Sequence, residues 1–194
     1  MPRTKTFCEE EVLNKAMELF WEKGFHATSM QDLVDRLGIN RASLYDTYGG
    51  KDALFEKAFA RYRKNGHHWL QQLFESAPNV RAGFGLLFEQ AINETASDVK
   101  RKGCFVVNTT TELLPGSDLI QDTLVKHQKV MEQLFVDYVQ LGIDQGELSE
   151  LKNAQEIGLM LYAFYNGLRV LGKVDTNQDK YQKMVKSALS VLDG

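Results

Sequence analysis

The chain has 194 residues, of which 43% are hydrophobic and 25% charged, so it can bury a folded core and is neither a disordered tail nor a minimal module. Its net charge of −3 argues against a protein that coats nucleic acid through bulk positive charge. The apolar runs are too short for a membrane span, and the N-terminus has no signal-peptide core. We therefore expect a cytoplasmic protein with no membrane partner.

The cysteine pattern gives no sign of a cross-linked or metal-bound fold. Cys8 and Cys104 lie far apart and form no C-x-x-C pair. Two such residues supply neither a disulfide framework nor a four-ligand zinc site. We expect two reduced thiols and no cofactor.

Helical periodicity and capping residues predict an all-α fold of about nine helices. The first four are 9–23 ending at Gly24, a two-turn helix opened by Ser29 and ended at Gly38, 41–48 capped by Asn40, and a long helix from Lys51 to Pro78 at the latest. The later ones are 80–96, a short helix within 103–111, 118–145 capped by Ser117 and Asp118, 153–172, and a last helix from Asp175 or Thr176 to Leu192. Residues 103–111 have a strand-like composition, but no second β-rich run exists to pair with them.

Residues 28–45 have the length of a helix-turn-helix motif, with Gly38 in the turn. On its second helix Leu44 is predicted to face inward. The side chains predicted to point outward, into a major groove, are Arg41, Ala42, Ser43, Tyr45 and Thr47. The expected flanking phosphate contacts are Thr28, Ser29, Tyr45, Tyr48 and Lys51. Arg41 has the donor geometry to bind guanine O6 and N7 together.

The segment from Thr28 to Phe55, T-S-M-Q-D-L-V-D-R-L-G-I-N-R-A-S-L-Y-D-T-Y-G-G-K-D-A-L-F, resembles the DNA-binding signature of TetR-family transcriptional regulators. The resemblance covers about residues 7 to 60. It implies that Arg41, Ala42, Ser43 and Tyr45 are recognition-helix contacts, that Thr28 and Tyr48 contact the DNA backbone, and that Lys51 binds a phosphate. Ala42 and Thr47 replace the glycine and histidine that are common in the family, which leaves the operator sequence open.

The same resemblance implies a division of the chain into two parts. Residues 1–52 would form the helix-turn-helix domain, and residues 53–194 a helical domain that binds a ligand and dimerises. The implied function is that of a homodimeric repressor, which a small, largely apolar effector releases from a near-palindromic double-stranded operator. The family mechanism would have the effector tilt the fourth helix and change the separation of the two recognition helices.

The C-terminal helices carry a candidate dimer face. Residues 157–171 are apolar around nearly the whole helix, so that helix must be buried on several sides. The residues proposed for a two-fold four-helix interface are Gly158, Ala163, Gly167, Met184 and Leu189. The alternative is a simple intramolecular core.

Aromatic residues with a few polar groups between the two ends suggest a small-molecule site, although the same set also describes an ordinary core. The candidate effector contacts are Trp69, Phe88, Cys104, Asn108, Tyr138, Tyr162 and Tyr165. Cys104 follows three basic residues and Gly103, so it could sense electrophiles or oxidants at a helix start. Its alternative is a small buried hydrophobe.

Two other classes of protein compete with a regulator. A helical di-metal enzyme needs Glu-x-x-His pairs. None of His26, His67, His68 or His127 follows a Glu at that spacing, and the chain has no G-x-S-x-G, P-loop or H-E-x-x-H motif, so we expect no enzyme. An all-helical adaptor that has lost DNA binding is disfavoured by the intact Arg41, Tyr45, Tyr48 and Lys51.

Overall fold

The computed structural model of the protein describes residues 7–116 and 118–193. Within them lie nine α-helices: α1 Glu9–Lys23, α2 Met30–Leu37, α3 Arg41–Tyr48, α4 Lys51–Ser76, α5 Val80–Ser97, α6 Phe105–Leu113, α7 Asp118–Asp144, α8 Ala154–Leu171 and α9 Gln178–Leu189. Short 3₁₀ turns follow α6 and α9, at Leu114–Gly116 and Ser190–Leu192. No strand occurs in these ranges, which confirms the all-α prediction. No helix among them is long and apolar enough to cross a membrane.

Local capping fixes α2 and α3 as the sequence predicts. Ser29 and Asp32 form a reciprocal capping box, in which Ser29 Oγ accepts from the Asp32 N–H at 3.0 Å and the Asp32 carboxylate accepts from the Ser29 N–H at 2.8 Å. Gly38 ends α2 at φ 69°, a left-handed conformation that glycine adopts without strain. Asn40 Oδ1 then accepts from the Ser43 N–H at 2.8 Å and opens α3. These caps set the turn between the two short helices.

The later helices also follow the prediction, with one correction. The strand-like segment forms the short helix α6, and Asn153 caps α8 as expected. The last helix begins at Gln178, later than predicted, because the Asn177 side chain accepts from the Lys180 N–H and is therefore the N-cap. The predicted cap residue Ser117 lies outside the described residues.

Two hydrophobic clusters hold the helices together. The N-terminal core combines buried side chains of α1–α3 and the first part of α4 with Phe105, Leu113, Ile120 and Leu124 from α6 and α7. The C-terminal core is formed by the rest of α4 with α5, α7, α8 and α9. Because α4 and α7 contribute to both clusters, a movement of either helix changes the packing of both clusters. The predicted division at residue 52 stays a prediction.

Candidate DNA-binding surface and interior cavity

The exposed face of α3 carries most of the side chains that we predicted to read DNA. Leu44 and Tyr48 are buried and hold the helix on the N-terminal core. The predicted contacts on the other faces are Arg41, Ala42 and Tyr45, which are exposed, and Ser43 and Thr47, which are half-buried. Arg41 has no ion-pair partner in the described part of the chain. The face therefore offers a free guanidinium, hydroxyl groups and a methyl group of the kinds that bind base edges.

One residue of this face was missed by the sequence prediction. Asp46 is exposed on α3, one turn after Ala42 and on the same side of the helix. A carboxylate in this position can accept a hydrogen bond from the N4 amino group of cytosine. Helical spacing alone could have identified it, because residues four apart share a face.

Two predicted phosphate contacts prove to be internal, which corrects their assignment. Thr28 is fully buried, and its Oγ1 donates to the Gly24 carbonyl at 2.6 Å. Tyr48 is 5% exposed, and its hydroxyl donates to the Glu9 carbonyl at 3.2 Å. Burial raises the pKa of this phenol. Both side chains therefore serve to fix the position of the α2–α3 unit and of α1.

The other flanking residues remain accessible. Lys51 begins α4, and its Nζ lies 4.4 Å from the centre of the Phe25 ring, a cation–π contact that orients the amine without neutralising it. Ser29 is exposed, although its hydroxyl takes part in the capping box. Lys23 lies 2.7 Å from Asp32, and this contact holds the pKa of the Asp32 carboxyl well below its usual range. Lys51 is thus the flanking cation best suited to a phosphate.

A cavity of about 340 Å³ that is half open to solvent, called here the interior cavity, lies among α1, α4, α5, α6, α7 and α8. Of the predicted effector contacts, Trp69, Cys104, Tyr162 and Tyr165 line it. Residues of α1, Met17 and Trp21, also line it and were not predicted. Pockets for drug-sized ligands occupy about 300–1,000 Å³ and are mostly apolar with few polar groups, as this one is.

Three predicted effector contacts do not line this cavity. Phe88 is fully buried in the C-terminal core. Tyr138 stacks on Phe74, with 3.8 Å between ring centres, and its hydroxyl donates to the Asn79 carbonyl. Asn108 donates to the Lys102 carbonyl at 2.7 Å and accepts from Lys173 Nζ. All three have structural partners that the sequence alone does not reveal.

A largely buried arginine, whose side chain is 14% exposed, lies at one side of the cavity. Arg169 donates to the Tyr165 hydroxyl at 2.8 Å and to the Glu94 carboxylate at 3.2 Å. Burial raises the pKa of Tyr165 to about 12, so its hydroxyl stays protonated. Burial opposes the charge of Arg169, yet Cys104 and Tyr165 contribute to raising its pKa well above the usual value. This arginine is therefore charged and already paired.

Side chains of the α5–α6 connection and of α6 join the cavity to the DNA-binding helices. Lys102 pairs with Glu18 of α1 at 2.9 Å, and the Trp21 indole N–H donates to the Gly103 carbonyl at 2.9 Å. At the end of α1, the Glu112 carboxylate accepts from two backbone N–H groups, those of Phe25 at 3.0 Å and His26 at 2.7 Å. Because Cys104 and Val106 line the cavity, a ligand there would contact the same short helix that carries Glu112.

The predicted dimer residues divide between the interior and the surface of the protomer. Gly158 packs against Val136 of α7, where an added Cβ would lie 2.7 Å from the Val136 Cα. Leu189 belongs to the C-terminal core, and Met184 packs against that core. Ala163 is exposed, and no atom lies within 4 Å of a Cβ added at Gly167. Gly158 and Leu189 are thus corrected to intramolecular roles.

An apolar strip does remain on the surface of α8. The strip, called here the α8 stripe, consists of Met160, Ala163, Gly167, Val170 and Leu171. These residues recur at spacings of three and four along one side of the helix.

In the described part of the chain, no group of three or more His, Cys, Asp and Glu side chains could hold a metal ion.

Comparison with known proteins identifies both parts of the chain. Residues 12–58 match the family described as "Bacterial regulatory proteins, tetR family", and residues 85–188 match "Tetracyclin repressor-like, C-terminal domain". The chain is 32% identical to the uncharacterized HTH-type transcriptional regulator YezE of Bacillus subtilis (strain 168), over 100% of both chains. It is 28% identical to the HTH-type transcriptional repressor ComR of Escherichia coli (strain K12), over 96% of this chain and 90% of ComR.

A solved structure agrees with these relationships. The TetR family transcriptional regulator CifR, in a cysteine variant complexed with 26-bp double-strand operator DNA, superposes with a TM-score of 0.86 and 26% identity. The superposition covers 96% of this chain and 97% of CifR. The protein therefore belongs to the TetR family of bacterial transcriptional regulators.

Proposed function

We propose that the protein is a homodimeric repressor that binds a near-palindromic operator and is released from it by a small molecule. The observation that carries the DNA-binding part is the exposed face of α3, defined above, on a helix fixed by caps at both ends. Membership of the TetR family and the operator complex of CifR support it. In this proposal Arg41, Ala42, Tyr45 and Asp46 reach base edges, and Lys51 binds a phosphate.

The dimer is proposed to form through the α8 stripe of two protomers. Exposed contiguous apolar patches commonly mark protein–protein contacts, and a two-fold axis brings the same patch of each copy together. Homodimers are also typical of the family. Dimerisation would place two α3 helices in successive major grooves, about 34–36 Å apart, as helix-turn-helix dimers require.

The effector is proposed to bind in the interior cavity. Its walls include Trp21 of α1, Tyr62 of α4 and Cys104 at the start of α6, so a bound molecule would contact three helices of the N-terminal half. A ligand shifts a conformational equilibrium only by its difference in affinity for the two states. Release of DNA therefore requires that the cavity bind the effector more tightly in the state that does not fit the operator.

DNA binding is tested by titrating the protein against the DNA that flanks its own gene at several salt concentrations. Lys51→Ala should weaken binding to all sequences and reduce the slope of log affinity against log salt by about one. Arg41→Ala should cost about 1–3 kcal/mol and relax the base preference. Lys129→Ala, an exposed lysine of α7, is the charge-matched control. Weak binding of the wild type without sequence preference would refute the proposal.

A second candidate function is regulation through the thiol of Cys104. This cysteine is buried, lines the cavity and immediately precedes α6, so a group attached to its sulfur would fill the effector space. In this proposal, addition of the thiolate to an electrophile releases the operator. N-ethylmaleimide should then release DNA from the wild type and from Cys8→Ser, in which the exposed cysteine is removed, but not from Cys104→Ser. Unchanged release from Cys104→Ser would exclude this function.

A further inference from the structure

The interior cavity has two ends of different electrostatic character. At the first, it shares Trp21, Glu94 and Arg169 with a surface depression beside the α5–α6 connection. At the second, it meets a surface groove between α4 and α7. The cavity and this groove share three residues, Arg63, His67 and His127, which we call the basic mouth.

The charged residues that the cavity shares with its surroundings are paired at the first end and unpaired at the basic mouth. In the depression outside the first end, Lys100 and Lys102 are paired with Glu22 and Glu18. Arg169 is paired with Glu94, which is the one carboxylate among the described residues that line the cavity. None of the three basic-mouth residues makes an ion pair with any part of the chain that the structure describes. The groove outside adds further basic groups, Lys64, His68 and Lys126, and no acidic residue lines it in the described ranges.

Among the basic-mouth residues, Arg63 has a buried donor without an acceptor in the part of the chain that the structure describes. Its Nε is buried and has no hydrogen-bond partner among the described residues. Its guanidinium lies 5.0 Å from the centre of the Phe59 ring, which orients the group but supplies no acceptor. Burial lowers the pKa of Arg63, although an arginine stays charged in proteins. A half-buried cation with an unfilled donor is stabilised when an anion accepts from it.

His127 supplies a second donor at the same place. Burial, together with the nearby Arg63 and His67, lowers the pKa of His127 to about 4, so its ring is neutral at pH 7. A neutral imidazole has one N–H to donate and adds no repulsion to Arg63. Arg63 therefore carries the positive charge in the mouth, and His127 can contribute a hydrogen bond to the same acceptor.

We propose that the effector is a small amphipathic carboxylate, with its apolar body among the aromatic walls of the cavity and its carboxylate bound by Arg63 and His127 in the basic mouth. This inference rests on the proposed function and specifies the chemistry of its effector. Trp69 and Tyr162 flank the body, and the planar guanidinium of Arg63 matches the two carboxylate oxygens.

The position of the basic mouth connects such a ligand to the DNA-binding surface. Arg63 lies on α4, about 18 Å along the helix from Lys51 at its first residue. His127 lies on α7, whose early residues Ile120 and Leu124 belong to the N-terminal core. A carboxylate held by both would draw α4 and α7 together and would act on the helix that begins at the proposed phosphate contact.

The test compares 4-phenylbutyrate with 4-phenylbutyramide, which has the same size but no charge. Binding is measured by calorimetry and by quenching of tryptophan fluorescence, because both tryptophans of the chain, Trp21 and Trp69, line the cavity. We expect the wild type to bind the carboxylate at least about tenfold more tightly than the amide. Equal affinities, or no binding of the carboxylate up to its solubility limit, would overturn the proposal.

Variants identify the residue that causes the preference for the carboxylate over the amide. Arg63→Met keeps the apolar stem and should abolish the preference for the carboxylate, whereas Arg63→Lys should retain most of it. Lys64→Met, which removes the neighbouring charge that lies in the groove but not in the cavity, is the matched control. Preference retained in Arg63→Met, or lost equally in Lys64→Met, would contradict the assignment. Operator binding measured without either probe tests the proposed function separately.

Discussion

The contact of Glu112 with the end of α1 gives a prediction that can be worked from distances. Its carboxylate accepts from the Phe25 N–H at 3.0 Å and from the His26 N–H at 2.7 Å, across 87 and 86 residues of sequence. Hydrogen bonds to charged groups contribute about 1.5–3 kcal/mol each. The bond to His26 is exposed, so water can replace its acceptor, whereas the one to Phe25 is partly buried.

Glu112→Ala should therefore lower the free energy of unfolding by about 1.5–3 kcal/mol, which is roughly the value of one such bond. For a chain of this length that corresponds to a fall in Tm of about 3–12 °C. Circular dichroism melts measure it, with Glu89→Ala, an exposed glutamate of α5, as the control. Because α6 also carries cavity residues, Glu112→Ala should weaken the coupling between effector and operator. A Tm equal to that of the control would show that the two Glu112 hydrogen bonds do not stabilise the fold.

Three further predictions concern His127 and the two glycines of α8. Between pH 6.5 and about 4, His127 is protonated in the unfolded chain but neutral in the folded protein. The free energy of unfolding should therefore fall as the pH falls, by about 1–2 kcal/mol for this partly exposed ring. His127→Gln should flatten that part of a denaturation series, and an unchanged slope would contradict it. Gly158→Val should lower the free energy of unfolding by about 1–3 kcal/mol, because the new Cβ would clash with the Val136 backbone. Gly167→Glu, with open space around it, should keep the helical content of the wild type but sediment as a monomer, and a stable dimer would remove the α8 stripe from the interface.

Most of the fold could be predicted because its signals are local. Ser29, Gly38 and Asn40 act within three or four residues of their own positions, so α2 and α3 have the predicted bounds. The start of α9 was missed because Asp175, Thr176 and Asn177 can all cap a helix. Which of the three residues caps α9 depends on a contact that the sequence does not show. The Asp175 carboxylate accepts a hydrogen bond from the Asn177 N–H, and Asn177 is the N-cap.

The candidate sites were predicted less completely, since they depend on contacts between distant segments. Thr28 and Tyr48 have side chains suited to phosphate, but the way α1 packs turns both inward. Glu112 and its partners are too far apart in sequence for any local pattern to join them. The different positions of Gly158 and Gly167, by contrast, could have been predicted from the sequence. Nine residues span two and a half helical turns, so the two glycines lie on opposite sides of α8.

Guanine-methylation protection across the operator tests most directly whether the exposed face of α3 binds the major groove. Arg41 is expected to approach guanine N7 from the major groove. We expect two protected patches on one side of the DNA, separated by whole helical turns, and the loss of guanine protection within both patches in Arg41→Ala. Protection confined to the minor groove, or identical patterns for the wild type and Arg41→Ala, would contradict this expectation.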